Sequence, residues 1–129
     1  MVHTSHSDEK QERLQEKLRD ELGPVICGLL DQSSGIEDIL VNEDCRIWVK
    51  RTGSAFEQIG ELSGRQSRGA MMTIASMQKT TVTESKPVLE TQLPIWKYRF
   101  AGLIEPVVLS PSFAIRVKSD KKRSLRDLQ

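Results

Sequence analysis

The sequence predicts an α+β domain, with an antiparallel sheet of about five to six strands backed by N-terminal helices and one central helix. Three observations point there. Leucines recur at helical spacing near the start, short β-branched runs come in two groups bounded by turn residues and prolines, and a capped apolar stretch separates the groups. With 129 residues, 37% of them hydrophobic and 29% charged, the chain fits one globular domain that buries roughly two-thirds of its unfolded surface.

Residues 1–6 read as a flexible polar tail. His3 and His6 lie in it with no further ligand framework converging on them, which a metal site would need. A helix follows from Ser7, a candidate N-cap, with Asp8 and Glu9 at its positive end and Leu14, Leu18 and Leu22 in one stripe. So narrow a stripe packs on a surface, either of this domain or of a neighbouring subunit. Gly23 and Pro24 end that helix, and PVICGLL (24–30) reads as a second, mostly buried one.

Strands are expected at 36–42, 46–51 and 56–62. The first two form a hairpin whose turn places Cys45 where a positive φ, easy for Gly or Asn, is often required. Ser63 and Gln66 make a capping box for a helix through about Lys79, with Ala70, Met71, Ile74 and Met77 on its core face. Three more strands are expected at 88–93, 98–104 and 112–118, with Pro94, Pro106 and Pro111 at their ends. Alternation puts Tyr98, Phe100 and Ile104 on one face, and Phe113, Ile115 and Val117 on one face of the last strand. Arg99, Arg116 and Lys118 then lie opposite. If these two strands are neighbours, Arg99 and Arg116 project from the same side, as an anion site or as an ordinary solvated face.

Several functions are disfavoured. The net charge of +1 gives no overall field for nucleic acid, and no stretch approaches the ~18 apolar residues of a membrane-spanning helix. Cys27 and Cys45 do not make a disulfide framework or a metal spacing. No phosphate-binding Gly-rich loop, nucleophile elbow or paired-histidine zinc motif occurs, so the chain alone is not read as an enzyme and has no catalytic residue or metal site to name.

Two phrases carry a resemblance: GPVICGLLDQSSGIEDILVNEDCRIWVKR (23–51) and KPVLETQLPIWKYRFAGLIEPVVLSPSFAIRVK (86–118). In that order they resemble the N-terminal region of the TrbB-type conjugal transfer ATPases, of the type IV secretion ATPase family, over about residues 12 to 118. Cys45 stands where glycine is usual, and Val117 displaces Lys118 by one place. The resemblance implies a PAS-like N-terminal domain at 7–118, with 119–129 beginning the linker to a RecA-like motor domain that the sequence lacks. It implies hexameric rings with ATP and magnesium held at the junction of the two domains, the motor domain supplying the P-loop and catalytic glutamate. Nucleotide phosphates would be contacted by Arg116, in FAIR, and by Arg99, in RFAG.

Expected partners are therefore the motor domain, neighbouring subunits and other conjugation or secretion proteins. Expected location is the cytoplasm, peripheral to the inner membrane. No cofactor is expected on this chain alone, and no specific nucleic-acid binding. Lys121, Lys122 and Arg123 are candidates either for a solvated linker or for anionic lipid headgroups. The alternative function is a stand-alone PAS-like sensor with a small ligand among Met71, Met77 and Phe100. Nucleic-acid binding through the basic tail is a third reading.

Overall fold

The computed structural model describes residues 6–117, so His3, Lys118, Lys121, Lys122 and Arg123 lie outside the described residues. Along the chain come α1 (His6–Asp31), β1 (Ile36–Val41), β2 (Arg46–Arg51), β3 (Phe56–Glu61), α2 (Gly64–Met77), β4 (Val88–Gln92), β5 (Arg99–Leu103) and β6 (Ser112–Arg116). The strands form one antiparallel sheet in the order β3-β2-β1-β6-β5-β4. The α+β expectation holds, each strand lying within its expected range.

One correction concerns the start of α1. It starts at His6, so His6 leaves the expected tail and Ser7 sits inside the helix instead of capping it. Of the two surfaces expected for the leucine stripe, it packs on this domain's own: Leu18 and Leu22 are fully buried in the core and Leu14 is half-buried. The expected break is present. Gly23 has φ 84° and ψ 168°, a conformation that costs glycine little, and Pro24 opens the following segment. That segment buries Ile26, Cys27 and Leu30. Burial pushes the Cys27 thiol pKa up, and its S–H donates to the Arg19 carbonyl at 3.3 Å.

One face of the sheet carries two apolar rows. Val49, Ile39, Ile115 and Phe100 are successive cross-strand partners, and Ile47, Val41, Phe113, Gly102 and Leu89 form the next row. Phe100 and Phe113 stack with centroids 5.2 Å apart. Each fully buried side chain of this size contributes about 1.5–3 kcal/mol. Helix α2 covers them with Ala70, Met71, Ile74 and Ala75, all buried, and Met77 packs at the core's edge. A Cβ on Gly102 would lie 2.6 Å from the Met71 methyl, so the absence of a side chain there admits α2 to this distance. The capping box forms as expected: Gln66 N–H donates to Ser63 Oγ at 3.1 Å, and Ser63 N–H to Gln66 Oε1 at 3.4 Å.

Polar ties hold the helices in place. Thr73 Oγ1 donates to Glu21 Oε1 at 2.7 Å, joining α2 to α1, and Lys17 pairs with the same carboxylate. At the end of α1, Asp31 accepts from Arg19 Nη2 at 2.7 Å and from Trp96 Nε1 at 2.9 Å, while the Arg19 guanidinium lies 5.3 Å from the Trp96 ring centre. This anchors the β4–β5 loop, whose Ile95 and Lys97 both have positive φ. The Arg19 and Trp96 donors hold the Asp31 carboxyl below the usual carboxylate range, and Arg68 does the same for Glu105.

Two predictions follow from these local features. Cys45 has φ 72°, as the turn required, with its N–H on Asn42 O at 2.9 Å. Cys45→Gly should raise stability by up to ~1 kcal/mol, and Cys45→Val should lower it by at least ~1 kcal/mol, as read from urea midpoints. Asp31 has a lowered folded-state pKa, so its contribution is complete above the ordinary value of 3.8 and is lost as pH falls through the folded value. Asp31→Asn should therefore flatten the acid limb of a thermal-stability profile below about pH 4 and leave its slope near neutrality unchanged.

Candidate anion site on the outer face of the sheet

The face away from the helices carries the candidate site, and its rows follow from the core rows by alternation. One residue along from Ile115 is Arg116, and one residue before Phe100 is Arg99. The two arginines are direct partners across β6 and β5, so they project from the same side of the sheet, as alternation predicted. The row continues in both directions, through Asp38 to Lys50 on one side and to Gln92 on the other.

Arg116 is 61% exposed, and its Nε donates to Asp38 Oδ1 at 3.1 Å. Its Nη atoms have no partner among the described residues, and the Arg99 side chain, also exposed, makes no hydrogen bond or ion pair there. Like charges directly opposite in a sheet destabilise it. One carboxylate against two guanidiniums leaves positive charge at this end of β5 and β6, with donors in the fork geometry that suits phosphate oxygens.

Alternation anticipated the shared face of the two arginines but not Asp38 beside them. The signal was the stretch IEDI, where Ile36 and Ile39 are both buried although strict alternation allows only one of them on that face. The structure resolves this with a register irregularity between Ile36 and Asp38, which makes Glu37 the extra residue. Glu37 lies 3.6 Å from Lys50 Nζ, and Lys50 also donates to Ser54 O at 2.8 Å. Asp38 is thereby left to Arg116.

Further along the same face lies a groove of about 340 Å³, with Ala101, Ala114, Leu40, Val88, Glu90 and Ser112 among its lining. The residues expected to line a sensor pocket lie elsewhere. Met71 and Phe100 are fully buried in the packed core beneath the opposite face. The described residues include no cluster of three or more His, Cys, Asp or Glu side chains able to hold a metal ion, and no helix long and apolar enough to cross a membrane.

Comparison with known proteins matches the sequence reading. No family model matches the chain. The "Probable conjugal transfer protein TrbB" of Sinorhizobium fredii (strain NBRC 101917 / NGR234) is 35% identical over 115 residues, 89% of this chain and 35% of the relative. The "Conjugal transfer protein TrbB" of Rhizobium radiobacter is 30% identical over the same shares of the two chains. The chain spans about a third of the length of these relatives. Among solved structures, the VirB11 ATPase from the Brucella suis type IV secretion system, crystallised with sulphate, superposes with a TM-score of 0.73. That match has 22% identity and covers 93% of this chain and 36% of the other, so it establishes a shared fold. Over nearly all of its length, then, the chain is a homologue of the TrbB conjugal transfer proteins.

Proposed function

We propose that the chain is the N-terminal assembly and regulatory domain of a hexameric conjugal transfer ATPase of the type IV secretion class. The observation that carries the reading is the pairing of Arg99 with Arg116 on an exposed face, with only one carboxylate bonded to the pair among the described residues. A surface that opposes two guanidiniums is disfavoured by itself and relieved by an anion. The similarity to TrbB proteins and the fold shared with a VirB11 ATPase support reading that anion as a nucleotide phosphate.

In this reading the nucleotide sits against a motor domain that supplies the P-loop, the magnesium ligands and the catalytic glutamate. This chain contributes the opposing wall. Arg116 presents its Nη edge, Arg99 adds a second donor, and each charge-assisted bond contributes roughly 1.5–3 kcal/mol. ATP then draws the two domains together, and loss of the γ-phosphate releases them. The isolated chain does not hydrolyse ATP and binds polyphosphate only weakly. Ring contacts to neighbouring subunits, docking to other secretion proteins and a cytoplasmic position peripheral to the inner membrane belong to the same proposal. Lys121, Lys122 and Arg123 would serve the linker or an anionic membrane surface.

The test is a chimaera in which this chain replaces the matching segment of the Sinorhizobium fredii TrbB protein. It should hydrolyse ATP, and Arg116→Ala should lower kcat/KM at least ~10-fold, the equivalent of one charge-assisted contact. Arg99→Ala should have a smaller effect. ATP turnover indifferent to Arg116→Ala would remove the assignment.

A further inference from the structure

We infer that Asp38 is the positioning residue that aims Arg116 at its phosphate; this inference rests on the function proposed above. Asp38 and Arg116 are direct partners across β1 and β6, and the Nε of the guanidinium donates to Asp38 Oδ1 at 3.1 Å. A guanidinium held at Nε cannot present its side edge to a ligand. It offers the Nη1/Nη2 pair, pointing outward from the held edge, which is the edge that grips two oxygens of one phosphate group. The exposures fit these roles, with Asp38 at 21% as the sheltered anchor and Arg116 at 61% as the reaching group.

The second support is the bulge at Glu37. Lys50 is also a direct cross-strand partner of Asp38 and would compete for its carboxylate. The extra residue brings Glu37 within 3.6 Å of Lys50 Nζ, and the carbonyl of Ser54 takes a further Lys50 hydrogen bond. Lys50 thus has partners of its own, and the Asp38 side chain bonds to Arg116 alone among the described residues. On the other flank, Arg99 has no carboxylate among the described residues to fix it, so the two arginines play unequal roles. Arg116 is oriented before the phosphate arrives, and Arg99 adjusts to it. Orientation in advance removes part of the ordering cost of binding.

The carboxylate has two opposing effects, and the experiment separates them. It aligns Arg116, which favours phosphate, and it adds negative charge nearby, which disfavours it. Asparagine keeps an oxygen acceptor for Nε without the charge; leucine has similar size and no acceptor. The 129-residue chain is titrated with sodium tripolyphosphate at low salt, and backbone and arginine Nε–H resonances are followed by NMR. Asp38→Asn should bind as tightly as the unaltered chain or up to ~3-fold more tightly, whereas Asp38→Leu and Asp38→Ala should each bind ~10-fold more weakly. Before any ligand is added, the Arg116 Nε–H should exchange with water faster in the leucine and alanine variants alone.

If all three Asp38 variants bind more tightly, the carboxylate merely suppresses anion binding and the positioning role is overturned. If none differs from the unaltered chain while Arg116→Ala binds ~10-fold more weakly, the positioning role falls and the phosphate reading stands. If Arg116→Ala leaves binding unchanged, or the unaltered chain shows no binding, both fall. Backbone spectra establish that each variant is folded, and the leucine variant carries the comparison should alanine disturb the strand.

Discussion

The structure depends on the register of β1, β6 and β5. Ile39, Ile115 and Phe100 meet as successive cross-strand partners beneath the helices, all three inaccessible to solvent. β1 comes from the opposite half of the chain to β5 and β6, so nothing local fixes how it slides past β6. The apolar row does. Displacing β6 by one residue would turn Ile115 to water and bury Arg116, an exchange that costs more than any single contact in the fold. The same constraint that builds the core therefore sets the position of every charged group on the opposite face.

The arginine pair contributes nothing favourable to that core and works against the sheet. Two guanidiniums face each other at the end of adjacent strands, and only one is bonded to a carboxylate among the described residues. The fold sustains this because the apolar rows, the Phe100–Phe113 stack and the packing of Met71 against Gly102 supply the stability from the other side. Stability and charge display are separated by the thickness of one sheet. That separation lets the outer face carry unbalanced charge without loosening the interior.

Much of this was legible from residue order. Strand positions followed from β-branched runs, the capping box from Ser63 and Gln66, and the shared face of Arg99 and Arg116 from alternation, because each depends on neighbours within a few residues. What escaped was long-range or irregular. The leucine stripe of α1 gave no sign of whether it met its own sheet or another subunit, since an amphipathic face looks the same in either case. The bulge at Glu37 was written in the spacing of Ile36 and Ile39, yet it became readable only once both were seen buried on one face. Asp38 went unnoticed for the same reason: its role depends on β1 lying beside β6, a pairing across more than seventy residues.

The loop between β5 and β6 gives the outer surface a direction. Leu109 is 91% exposed on that loop, whose position is secured where the Leu109 amide donates to Glu43 Oε1 at 2.6 Å. β6 leaves this apolar end at Ser112 and finishes at Arg116, four residues later and about 13 Å away at ~3.3 Å per residue. One strand thus joins a greasy tip to a cationic one. A body that touches both tips meets an asymmetric ruler, and turning the domain end for end would set leucine against charge and arginine against oil. The polarity of a single short strand is enough to give the outer face two chemically distinct ends.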